Sequence, residues 1–157
     1  MLVDEHNPTF QGQYTRMMRW YERFREINID FQERLDEYLD IAYVFFLHCY
    51  HLKDWLINDT NVDISADEVE DFITDNVSLS LCADICNASK HLILQRSRSD
   101  KKPKIGSDDF FDTVLPGERS RRTWWYVQTE DDMYDPFELA NECVECWELF
   151  LKEHGLI

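Results

Sequence analysis

Two stretches of this chain set histidines at helical spacing from carboxylates. His51 and Asp54 are three residues apart, and Asp84, Asn87 and His91 follow one another at three and four. At about 100° per residue, each set shares one side of a helix. Such groups can do three things. They can satisfy a buried or interfacial network, with His91 bonded to Asp54 or Asp84. Two His and two Asp from facing helices can hold a divalent ion. A His with a second polar or cationic group can also act on a ribose 2′-hydroxyl beside a scissile phosphate, which is acid–base ribonuclease chemistry without a metal. The candidate catalytic residues are therefore His91, Asn87, Asp84, His51 and Asp54. No Glu-x-x-His occurs, so the expectation is that no metal or other cofactor is held.

The five cysteines are Cys49, Cys82, Cys86, Cys143 and Cys146. The first residues include Asp4 and Glu5 and no long apolar run, so no export signal is expected. An odd number of thiols in that setting reads as reduced. Cys143 and Cys146 form a Cys-x-x-Cys, but the helix starts near Asp135-Pro136, so Cys143 lies well inside it. A redox pair needs its first thiol at the N-terminus, where the helix dipole lowers its pKa. A zinc ribbon needs a second Cys-x-x-Cys, and there is none. The five thiols read as small buried hydrophobes.

These residues sit on helices that the apolar spacing outlines. A first helix covers Tyr14 to Glu26 and carries Arg16, Arg19, Arg23 and Arg25 among Tyr14, Trp20, Tyr21 and Phe24. A second covers about 30 to 58, opened by an Asp30/Glu33 capping box. Its stripe is Phe31, Leu35, Tyr38, Ala42, Phe45, Cys49, Leu52 and Leu56. His51 and Asp54 lie on the opposite face, near Val44 and Leu47. A Ser65/Glu68 capping box opens a short third helix to about 74. The fourth covers 77 to 95, with Leu81, Ile85, Ala88 and Leu92 as its stripe. Pro103, Gly106, Pro116 and Gly117 then interrupt the helical pattern, and runs 110–115 and 123–128 favour strands. The fifth helix takes Asp135 as N-cap and Pro136 as its first residue. It should bury Leu139, Ala140, Cys143, Val144, Trp147, Phe150 and Leu151. The fold expected is mainly all-α: one domain over 1–157, a bundle of four to five helices with an inserted β-hairpin around 105–128.

Hydrophobic residues make up 44% of the 157 and aromatics 14%, enough for one core and too many for disorder. The most apolar stretch, 41–50, is too short to span a bilayer, so a cytoplasmic protein without membrane contact is expected. The net charge of −16 disfavours loose binding to nucleic acid or anionic lipid. That charge is unevenly spread. Residues 90–104 hold six Lys or Arg against Asp100 alone, while 130–148 carry acids and no Lys or Arg, which reads as solvated faces that attract each other. The same acidic run suits an inhibitor that mimics nucleic acid.

Asn87-Ala88-Ser89-Lys90-His91, late in a helical bundle, resembles the second half of the HEPN motif. That motif is an Arg, often followed by Asn, with a His about five residues after the Arg. Asn87 falls on the Asn position and His91 on the His, while Cys86 stands where the motif has Arg. The resemblance implies a small helical bundle, frequently dimeric, in a family with many ribonucleases of toxin and antiviral systems. It implies that the Arg helps hold the phosphate, a role this chain does not fill from that position. The reading that follows is a HEPN-like binding or regulatory module of bacterial or mobile-element setting. It would be a homodimer without strong catalysis, with a protein or RNA as partner. The alternatives are a metal-independent ribonuclease using His91 and the acidic mimic.

Overall fold

The computed structural model describes residues 9–29, 35–90 and 97–157. They form five helices and one three-stranded sheet. In chain order these are α1 (Phe10–Ile29), α2 (Leu35–Asn58), α3 (Ala66–Asp75), α4 (Val77–Lys90), β1 (Lys104–Leu115), β2 (Glu118–Gln128), β3 (Met133–Tyr134) and α5 (Pro136–Glu153). The mainly helical architecture with an inserted hairpin is the one the sequence predicts. Both strands are longer than their β-favouring runs, because cross-strand pairing carries the ladder from Lys104↔Gln128 to Leu115↔Glu118. Pro116 and Gly117 close the hairpin. Gly117 sits at φ 98°, where a Cβ is strained, and Pro supplies the fixed φ before it. Gly106 faces Tyr126 across the ladder. A Cβ there would lie 2.7 Å from the Tyr126 ring, so only glycine lets that ring lie over the strand.

The stripe on α2 is the spine of the core. Tyr38, Ala42, Phe45, Cys49, Leu52 and Leu56 are all buried. Phe31 and the Asp30/Glu33 capping box lie outside the described residues. α1 and α4 pack against α2, and α5 closes the bundle against α4, α2 and α1. α5 buries the seven residues its periodicity predicts and exposes Glu138, Glu142, Glu145 and Lys152. Phe24 joins Tyr38, Phe45, Phe46 and Phe137 in an aromatic cluster with centroids 5.4–6.3 Å apart.

The helix ends are fixed by side chains. At α3, Ser65 and Glu68 exchange both bonds of a capping box. At α5, Asp135 accepts the Phe137 and Glu138 amides at 2.9 Å. At α1 the cap comes from far along the chain. Asp59, just after α2, accepts the Phe10 amide at 2.9 Å and so ties the start of α1 to the end of α2. Burial pushes the Asp59 pKa up, but the bonds from Phe10 and Asn61 outweigh it and leave the carboxyl below its usual value.

Candidate functional site

Asp84 sits mid-way along α4 and is fully buried. Its partners are the bend that leads from α4 toward β1. Oδ2 accepts the Ser97 hydroxyl at 2.7 Å, the Ser99 hydroxyl at 2.5 Å and the Ser99 amide at 2.9 Å, while Oδ1 accepts the Arg98 amide at 2.5 Å. A carboxylate wrapped by successive amides and hydroxyls is an anion nest made by the protein for its own side chain. It holds a bend in which Asp100 and Lys102 have positive φ, 58° and 47°. The Arg98 guanidinium bonds Glu70 on α3, and Glu70 in turn accepts the Lys53 ammonium of α2 at 2.7 Å. Asp84, Arg98, Glu70 and Lys53 therefore form one chain of contacts linking α4, the bend, α3 and α2. Beyond the bend, Lys101 pairs with Asp132 at 3.4 Å and Lys102 with Glu130 at 3.8 Å. The basic and acidic runs of the sequence meet here.

His51 lies elsewhere, on the partly exposed face of α2. The charge of Lys90 at the end of α4 acts on it, as do those of Asp54 and Lys53. Burial and the two cations hold its pKa below the usual 6.5, and Asp54 opposes them. One turn earlier, His48 is also pushed down, first by burial and then by the charges of His51, Arg16 and Arg19. Gln13 of α1 steadies this ring. Its Nε2 lies 3.2 Å from His48 Nδ1 and donates to the His48 carbonyl at 2.9 Å.

Aromatic groups interleave with these cations. Trp20 stacks on the His48 ring at 6.4 Å and 14°. The Arg23 guanidinium lies 4.5 Å from the Trp20 ring centre, and that of Arg16 lies 5.3 Å from the Trp55 ring. A cavity of about 270 Å³ opens beside Trp55, lined also by Asp54, Asn58 and Asp59. The face formed by α1 and α2 thus gathers Arg16, Arg23 and His48 beside two tryptophans, with Arg19 near His48 and Lys90, at the end of α4, near His51. In a chain of net charge −16 this is a local reversal of sign.

Of the five residues singled out by sequence, His51 and Asp54 belong to this face. Asp84 turns to the 97–99 bend instead. Asn87 is half-buried on α4. His91 lies outside the described residues, and Lys90, its neighbour in sequence, is the last described residue of α4. Sequence spacing missed Arg16, Arg19 and His48 as members of the site. Their signal was present in the run of arginines among aromatics on α1, which reads as a basic stripe once α1 is laid against α2.

The cysteines form a second cluster. Cys49 of α2, Cys82 of α4 and Cys143 of α5 are fully buried, and their sulfurs all lie within 4.8 Å of one another. Three bonds to main-chain carbonyls link the same helices in a ring. Cys82 donates to the Phe46 carbonyl and Cys143 to the Ser78 carbonyl, each at 3.3 Å, and the Trp147 indole donates to the Cys49 carbonyl at 3.2 Å. Cys86 is buried, while Cys146 is half-buried with its sulfur 3.6 Å from Asn76 Oδ1. Compared with protein-family models, curated proteins and solved structures, the chain matches none.

Proposed function

We propose that this protein is a HEPN-like binding module that receives a single RNA strand on the face of α1, α2 and the end of α4. One observation carries the reading. Cations and tryptophans from three helices are interleaved on one face of a strongly acidic chain. Guanidinium groups neutralise phosphates, and indole faces stack bases without regard to sequence. The acidic remainder repels nucleic acid elsewhere and so confines binding to this face. The chain acts as a homodimer, pairing at the part of α2 where Val44 and Leu47 remain half-exposed, so that the RNA face borders the seam between the two copies.

The test is fluorescence anisotropy of a labelled single-stranded RNA. Wild type is expected to bind with an affinity that falls as salt rises, each phosphate contact adding ~0.7 to the slope of log affinity against log salt. Arg16→Glu combined with Arg19→Glu should weaken binding about tenfold or more and flatten that slope. A wild type that ignores RNA, or a double variant that binds it equally well, sinks the proposal.

The second reading, a metal-independent ribonuclease using His91, draws on the neutral imidazoles and cations of the same face. Cations near the end of α4 are what the missing motif Arg would otherwise supply. Cleavage of RNA in the presence of a chelator, lost in a folded His91→Ala variant, would place catalysis ahead of binding.

A further inference from the structure

We infer that Cys49, Cys82 and Cys143 form a buried three-sulfur site for a soft monovalent metal ion of the copper(I) class. The three residues come from α2, α4 and α5, so the site exists only when these helices are packed together. Its dimensions suit an ion. A metal bonded to three sulfurs at ~2.3 Å, the usual metal–thiolate length, sits in a triangle with edges of about 4 Å. The sulfurs lie within 4.8 Å of one another, so small side-chain shifts close the triangle.

The donor set selects the ion. All three donors are sulfur, and among the described residues no carboxylate or imidazole joins them. Thiolates favour copper(I), zinc and iron–sulfur clusters over magnesium, calcium or manganese. Zinc in closed structural sites takes four ligands, and iron–sulfur clusters use four cysteines. Three sulfurs without a fourth donor fit an ion that accepts trigonal coordination. A monovalent ion needs only one of the three sulfurs as thiolate to leave the buried site neutral, where a divalent ion needs two. Binding changes no oxidation state. Copper enters as copper(I), and each sulfur that becomes a thiolate releases its proton to the buffer.

The three cysteines surround one point of the core, although they are scattered over nearly a hundred residues of sequence. The bonds from Cys82 to the Phe46 carbonyl and from Cys143 to the Ser78 carbonyl hold two of the three side chains in place. The inference is independent of the RNA reading and uses none of its residues.

The experiment uses the full chain, reduced and kept free of oxygen, with copper(I) supplied in a chromogenic copper(I) chelator. The protein should withdraw one copper(I) per chain and show thiolate-to-copper charge-transfer absorption. X-ray absorption of the loaded wild type should give a first shell of three sulfurs. Cys49→Ala or Cys143→Ala should weaken retention by more than about 100-fold, the upper end of what loss of an outer-shell partner costs. Cys146→Ala should retain the ion. Circular dichroism reports whether each variant folds, and if the core variants unfold, the wild-type absorption spectrum decides. The inference is overturned if wild type leaves copper with the chelator. A first shell containing nitrogen or oxygen, or a folded Cys146→Ala as weak as Cys49→Ala, overturns it too. So does retention of zinc in preference to copper(I).

Discussion

An imidazole that is partly buried and faces guanidinium or ammonium groups resists a second positive charge. His48 and His51 are in that position. Burial comes first, then His51, Arg16 and Arg19 at His48, and Lys90 at His51. Both rings should therefore be neutral at pH 7 and gain their protons only below the usual value of 6.5. The unfolded rings protonate first on acidification. The stability that the neutral rings contribute is thus present above pH 6.5 and lost as pH falls through their folded midpoints. An NMR titration of the imidazole protons measures those midpoints, and Arg16→Gln should move that of His48 upward. A His48 midpoint at or above 6.5 in wild type would show that the arginines do not act on it. A bound polyanion works in the opposite sense, so RNA should raise both midpoints and bind more tightly as the pH falls. The spacing of His51 and Asp54 marked one part of this site. His48 was hidden because its partners are on α1, thirty-odd residues away in sequence.

At the scale of elements, the bend after α4 depends on one side chain. Asp84 takes four hydrogen bonds from residues 97–99. Asp84→Ala would leave the amides of Arg98 and Ser99 without their acceptor, in a partly buried position. The expected cost is about 3 kcal/mol in unfolding free energy, the upper end for a buried donor left unpaired. Urea denaturation gives that value, and hydrogen exchange should show the Arg98 and Ser99 amides losing protection first. A cost under about 0.5 kcal/mol, typical of an ordinary surface change, would mean the nest does not hold the bend. The helices themselves were readable because their signals are local. Ser65 with Glu68, and Asp135 with Pro136, lie within one turn of the ends they set. The cap on α1 was not readable, because Asp59 reaches Phe10 across 49 residues. The strand lengths were under-read, because pairing with a neighbour extends a strand past its own β-favouring residues.

For the whole molecule, the proposed homodimer rests on α2 having a second apolar face. One is the core stripe, and the other leaves Val44 and Leu47 half-exposed. Light scattering at micromolar concentration should give about twice the chain mass of 18.9 kDa, and Leu47→Glu should return it to the monomer value. A wild-type mass equal to one chain removes the dimer from the proposal. Among the described residues no helix is long and apolar enough to cross a membrane, as the ten-residue apolar run predicts. The sequence by itself determined the helices, the caps of α3 and α5, the hairpin turn, the buried stripes of α2 and α5 and the overall charge. Each of these depends on residue type and on neighbours within a turn or two. Only the tertiary structure decided that Asp84 serves the 97–99 bend. It alone set Arg16 and Arg19 beside His48, and Cys49, Cys82 and Cys143 around one point. These meetings depend on how helices pack and rotate against one another, which is set by the sum of many weak core contacts and not by any local spacing.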